Sequence, residues 1–157
     1  DRAEGTEVDE WPGSEAGKWQ DLGGCSLFLP SASPSAIVHF LGGAFVGASP
    51  KIFYQNFLEE LCKETNAIVI VTPFALTFDY DAMAVEAASA FDKTRDELAG
   101  GRASVLALPV IGVGHSCGAL LHTLLAAKRS YAACVLMSFN NLSVKEAIPP
   151  TLPPPPE

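Results

Sequence analysis

Continuous apolar runs of strand length alternate along the chain with longer stretches of helical spacing. Ile37-Val38-His39-Phe40-Leu41, Ala67 to Thr72 and Ala133 to Phe139 are unbroken by charge, the pattern of strands covered on both faces. A fourth such strand is predicted over 105–113. Between the first two runs, Ser49-Pro50 reads as an N-cap followed by proline in the first turn. Phe53, Phe57 and Leu61 then recur at i, i+4 and i+8 with Tyr54 and Leu58 beside them, which predicts an amphipathic helix ending near Asn66. Residues 81–98 are helical in composition, with Met83, Val85, Ala88 and Phe91 expected inward and Gly100-Gly101 as the stop. Residues 117–129 form a helix apolar nearly all round, hence buried, with Lys128-Arg129 suited to its C-terminal dipole. Lys18 to Leu22 and Cys25 to Leu29 flank Gly23-Gly24 and predict a hairpin. Residues 30–35 are a turn-rich connector.

The order is a hairpin followed by β-α-β-α-β-α-β. That alternation predicts an α/β fold, a mostly parallel sheet with helices on both faces. One domain over 17–147 is expected, between an acidic disordered tail at 1–16 and a Pro-rich tail at 148–157 that can continue neither sheet nor helix. No internal repeat is visible.

Charge adds little to the picture. The formal net charge is −8, but residues 1–16 carry net −5, leaving −3 for the rest. With no basic patch, nucleic acid and anionic membrane are not expected partners. The four cysteines, Cys25, Cys62, Cys117 and Cys134, are nowhere closer than 17 residues, so no C-x-x-C metal pair exists. They read as reduced thiols of an intracellular protein, and neither metal nor cofactor is indicated. Val105 to Ala127 is uncharged and long enough to span a bilayer. Pro109, Gly112, Gly114 and Gly118 interrupt it, so a buried strand and helix explain it better, and no transmembrane segment is expected.

The junction inside that run carries the chemistry. Gly114-His115-Ser116-Cys117-Gly118 is G-x-S-x-G between a strand-like and a helix-like segment, and it resembles the nucleophile elbow of α/β-hydrolases. Small residues two before and two after the serine let helix and strand cross closely, a need that Gly114 and Gly118 meet. Ser116 is the expected nucleophile. Acyl transfer also needs N–H donors aimed at the developing oxyanion. One is expected from Cys117. The other is expected from the loop after the first buried strand, Gly42-Gly43-Ala44-Phe45-Val46-Gly47, with Ala44 as the donor after the two glycines. A phosphate-cradling role is disfavoured, because neither G-K-[ST] nor G-x-G-x-x-G is present.

Taken together, Val38 to Ala48, Thr72-Pro73-Phe74 with Thr77-Phe78-Asp79, Gly112 to Gly118, and Ser138-Phe139-Asn140-Asn141 resemble the uncharacterised DUF1350 family over roughly 18–147. That resemblance implies an α/β-hydrolase fold and a plastid setting, and supplies no substrate. Family members continue past the Ser-Phe-Asn-Asn strand, where this chain turns Pro-rich. The chain is therefore expected to lack the last strands and helices and to be C-terminally truncated.

A triad in this fold runs Ser, acid, His. After Ser116 come only His122, Glu146 and Glu157, which do not suit that order. His39 and His122 read as core histidines. His115, whose side chain should point away from that of Ser116, and Asp79 are the candidate pocket residues, although Asp79 or Asp81 should also cap the 81–98 helix. The expectation is a serine-hydrolase-like protein of esterase, lipase or thioesterase type with an incomplete triad, taking a small ester-type substrate. The alternative is a non-catalytic scaffold whose 133–139 strand, an exposed apolar edge, is covered by a partner.

Overall fold

The computed structural model describes residue 11 and residues 15–44, 49–139, 141–143 and 146. Most of the 1–16 tail, the whole 148–157 tail and the 45–48 part of the glycine loop lie outside these residues. Six strands form one sheet: β1 (Trp19–Leu22), β2 (Cys25–Phe28), β3 (Ile37–Leu41), β4 (Ile68–Val71), β5 (Val110–His115) and β6 (Ala133–Met137), in the order β1-β2-β4-β3-β5-β6. The β1–β2 hairpin turns on Gly23 and Gly24 and joins β4 antiparallel, while β4, β3, β5 and β6 are mutually parallel. The helices are α1 (Pro50–Thr65), α2 (Tyr80–Ala99), the single turn α3 (Ala103–Leu106) and α4 (Cys117–Ala126).

Right-handed crossovers decide which face each helix covers. The chain steps from β3 to β4 through α1, then returns across β3 to β5 through α2 and continues outward to β6 through α4. Opposite directions place α1 on one face and α2 and α4 on the other. Packing follows this division. Leu58 and Cys62 of α1 meet Val38, Phe40, Val69, Val71 and Val113. Met83, Ala84 and Ala87 of α2 meet Leu121 and Leu125 of α4 over Leu41. Among the described residues no helix is long and apolar enough to cross a membrane.

Several expected details are corrected. Residues 103–106 are helical, and β5 starts only at Val110. Proline at 109 has no N–H for a ladder, although its carbonyl accepts from Ile37 N–H at 2.9 Å. On α1, Phe53 and Phe57 are exposed at 64% and 42%, while Leu58 and Cys62 are fully buried. Two apolar stripes run side by side along this helix, and docking on β2 and β4 uses the Tyr54-Leu58-Cys62 stripe. Val85 is exposed because α2 buries a narrow stripe of Met83, Ala84, Ala87, Ala88 and Phe91, and Val85 points away from it. The Ser49 side chain makes no cap bond. The 117–129 helix ends at Ala126. Lys128 and Arg129 then pair with Asp81 and Asp92 of α2, Arg129 through two bonds of 2.6 and 3.1 Å, so side-chain ion pairs replace the expected dipole contact. Finally, β6 is not buried: Val135 and Leu136 are 48% and 42% exposed, because among the described residues it has a neighbouring strand on one side only.

Candidate active site

Consecutive connections leave β3 and β5 in opposite directions, toward β4 and toward β6. That makes the crevice between the carboxyl ends of β3 and β5 the switch point of the sheet, where α/β folds gather ligands. Both sequence motifs end there. Gly42, Gly43 and Ala44 follow β3, and Ser116 follows β5.

Ser116 has φ 54° and ψ −116°, a left-handed backbone that disfavours any residue but glycine. Close crossing of strand and helix imposes it. A Cβ on Gly114 would lie 2.5 Å from the Gly118 backbone and 2.6 Å from Ala119 N, and a Cβ on Gly118 would fall on the Leu41 carbonyl. Neither position can carry a side chain without moving main chain. Cys117 opens α4, so its N–H has no carbonyl one turn earlier within the helix and lies at the positive end of the helix dipole. Its thiol packs into the α2–α4 core, and burial pushes that thiol up to about 11, which disfavours the thiolate.

Strand alternation places Val113 and His115 on the α1 face, and Gly112 and Gly114 on the α4 face. Tyr54 of α1 meets His115, with its hydroxyl 2.8 Å from His115 Nδ1. The same hydroxyl accepts a hydrogen bond from Gly43 N–H at 3.0 Å. Gly43 lies between the two motifs: a Cβ there would stand 3.5 Å from His115 Nδ1 and 3.7 Å from Ser116 Cβ. Gly42 lies against the Tyr54 ring, where a Cβ would fall 2.9 Å from ring carbon Cε2. The glycine pair therefore admits a tyrosine as well as bending a loop. Ala44 is half-buried against the α2–α4 core. Phe45, Val46 and Gly47 lie outside the described residues. The part played by Tyr54 was not legible in the motifs, since its partners are 11 and 61 residues away. Strand parity was the available signal, because it turns His115 toward the face that α1 covers.

The remaining candidates lie elsewhere or have other partners. Among the described residues the Ser116 hydroxyl has no hydrogen-bond partner. Asp79 caps α2 by accepting from Ala82 N–H at 2.9 Å. Glu146 accepts from the hydroxyl and N–H of Ser143. His39, on β3, and His122, on the sheet-facing side of α4, are both fully buried. His39 Nδ1 is 2.9 Å from the Tyr131 hydroxyl, and His122 Nε2 donates to the His39 carbonyl at 2.9 Å. Burial, with lesser contributions from each other and from Arg129, holds His39 well below the usual imidazole range. Burial likewise takes His122 down to about 4. Both are neutral packing groups. No cluster of three or more His, Cys, Asp or Glu among the described residues could hold a metal ion.

Comparison with known proteins places this geometry. Residues 18–152 match the family described as protein of unknown function (DUF1350). No curated protein matches the chain. Several solved structures share the fold, and two of them illustrate the likeness. One is the Francisella virulence factor BioJ, with TM-score 0.56 and 20% identity, matched over 71% of this chain and 38% of that one. The other is a thermostable carboxyl esterase from Bacillus coagulans, with TM-score 0.52 and 15% identity, matched over 76% of this chain and 42% of that one. The fold is that of the α/β-hydrolases, and the chain spans about two-fifths of the length of these structures.

Proposed function

The chain belongs to the DUF1350 family, and from that premise we propose that it is the nucleophile-bearing part of a serine hydrolase acting on a small ester or thioester. The observation that carries this reading is Ser116 itself. It is a non-glycine residue in the left-handed region, held there by two glycines at the switch point of the sheet. A strained serine between strand and helix suits acyl transfer, because it lifts Oγ clear of the backbone and sets it beside the helix N-terminus. In this reading Ser116 Oγ attacks the acyl carbon, and the N–H groups of Cys117 and Ala44 receive the oxyanion. His115 lines the pocket, and the acid and general base come from outside the described residues. Asp79, at the end of the loop after β4, reaches the pocket only if its cap on α2 opens. The plastid setting implied by the family resemblance and the single-domain extent 17–147 belong to the same proposal.

The test is labelling of the full-length protein with a fluorophosphonate, which phosphonylates an activated serine. The expected result is one adduct on the peptide that carries Ser116, absent from Ser116→Ala. A folded protein that takes up no probe, and hydrolyses no short-chain thioester or p-nitrophenyl ester, would defeat the reading.

One observation favours a second reading, a non-catalytic scaffold. Val135, Leu136 and Phe139 are 42–48% exposed along and just after β6. An apolar edge of that kind pairs readily with another strand. In this reading a partner covers β6, and a 157-residue chain that is monomeric and stably folded in sedimentation experiments would remove it.

A further inference from the structure

The Tyr54 hydroxyl joins three elements that the proposed chemistry needs in register: the loop after β3, the end of β5 and the first turns of α1. Resting on the hydrolase reading above, we propose that Tyr54 is a positioning residue that fixes both the oxyanion loop and the tautomer of His115. Proton counting supplies the argument. A phenol has one proton to donate and an oxygen able to accept. Gly43 N–H can only donate, so at 3.0 Å the Tyr54 oxygen is its acceptor. The phenol proton is then free to donate, and His115 Nδ1 at 2.8 Å is the partner in line for it. Donation from Tyr54 makes Nδ1 an acceptor and leaves the imidazole proton on Nε2. The reverse arrangement, with His115 Nδ1–H donating, would leave the phenol accepting twice with no described acceptor for its own proton.

The surroundings hold this geometry. The Tyr54 ring is pinned edge-on to Phe40, with centroids 4.9 Å apart, and it lies against Gly42 where no side chain intervenes. Consequently Gly43 N–H is already engaged and is not the oxyanion donor. This leaves that role to the next amide, Ala44, whose position is set by the engagement of Gly43. Tyr54 thus acts at one remove from the reacting atoms. It aims the loop and fixes which nitrogen of His115 offers a proton beside Ser116.

The experiment uses the full-length protein labelled with 15N-histidine, and long-range 1H–15N correlation at a pH where imidazoles are neutral. The His115 signals are assigned by their loss in His115→Asn. The expected wild-type pattern is the Nε2–H tautomer, and Tyr54→Phe shifts His115 toward a tautomer mixture while leaving His39 and His122 unmoved. Those two buried rings report that the variant is folded. In parallel, the fluorophosphonate labelling rate of Tyr54→Phe is expected to fall roughly ten- to a hundredfold, the scale of a modest misplacement. An Nδ1–H tautomer in the wild type overturns the proposal without any variant. So does an unchanged His115 pattern, or unchanged or faster labelling, in Tyr54→Phe. Failure of the wild type to label defeats the hydrolase reading instead, and the imidazole pattern still decides whether Tyr54 sets His115.

Discussion

Two histidine–tyrosine pairs lie on opposite faces of the same sheet, and they do different things. His115 with Tyr54 and His39 with Tyr131 have nearly the same contact, 2.8 and 2.9 Å from Nδ1 to hydroxyl. The first pair is half-buried at the carboxyl ends of the strands, beside a strained serine. In the second, His39 is fully buried and Tyr131 is half-buried. There His39 stacks on Phe91 with centroids 4.1 Å apart, His122 meets it edge-on, and Arg129 with Asp92 closes the cluster. Among the described residues His39 Nε2 and His122 Nδ1 are buried without hydrogen-bond partners, a cost that the packing of the rings must offset. The same contact is a structural rivet in one setting and, in the proposed hydrolase, a site component in the other. Depth and neighbours decide, and residue type does not.

The change expected to break both pairs at once is Gly118→Ala. Its methyl would land on the Leu41 carbonyl and push α4 away from β3 and β5. The clash is with main chain, so a loss of at least about 3 kcal/mol is expected. Urea unfolding and near-ultraviolet dichroism would show it, and a native-like midpoint would refute the close-crossing account.

Truncation separates the pairs. His122→Ala removes a fully buried ring and its bond to the His39 carbonyl, and should cost about 3 kcal/mol. His115→Ala removes a half-buried ring and should cost less than about 1 kcal/mol. Equal shifts in urea midpoint would erase the distinction between rivet and site.

Acid sharpens it further. The folded state holds His122 at about 4 against an ordinary 6.5, and His39 is displaced in the same direction. The unfolded chain therefore binds protons that the folded protein refuses. Stability is complete above pH 6.5 and falls as pH drops from there toward 4. The loss is roughly 2 kcal/mol by about pH 5 from His122 alone. A stability profile flat between these limits would mean the buried pair is hydrated.

A change of opposite sign concerns the serine between the pairs. Ser116→Gly removes the Cβ that resists φ 54° and should stabilise by about 1 kcal/mol while abolishing probe labelling. Destabilisation instead would show that the elbow is not strained.

What was legible from residues and what was not divides along sequence distance. The G-x-S-x-G elbow lies within five residues, and its strand–turn–helix context is local, so it could be read directly. Asp79 as the α2 cap is local too, three residues from the N–H it accepts. The segment 105–113 differs from its apolar pattern for another reason: a backbone without an N–H at 109 separates a helical turn from the strand that starts at Val110. Periodicity found two apolar stripes on α1 and could not rank them, because the choice is made by β2 and β4 beneath. The apolar run at 133–139 looked like its buried counterparts at 37–41 and 67–72. Its exposure follows from its place at the end of the strand order, a property of the whole sheet.

The sequence by itself determined the alternation of strand and helix, the hairpin, and the tight strand-to-helix turn that carries Ser116. Each rests on interactions among residues within a few positions of one another. Tertiary structure alone decided that β3 sits between β4 and β5, and so that the glycine loop and Ser116 share one crevice. It also decided that Tyr54 reaches both Gly43 and His115, and that His39 and His122 are sealed away. Those facts depend on crossover handedness and face assignment, which bring together residues up to 92 positions apart, as in His39 with Tyr131. Local spacing carries no record of such pairs.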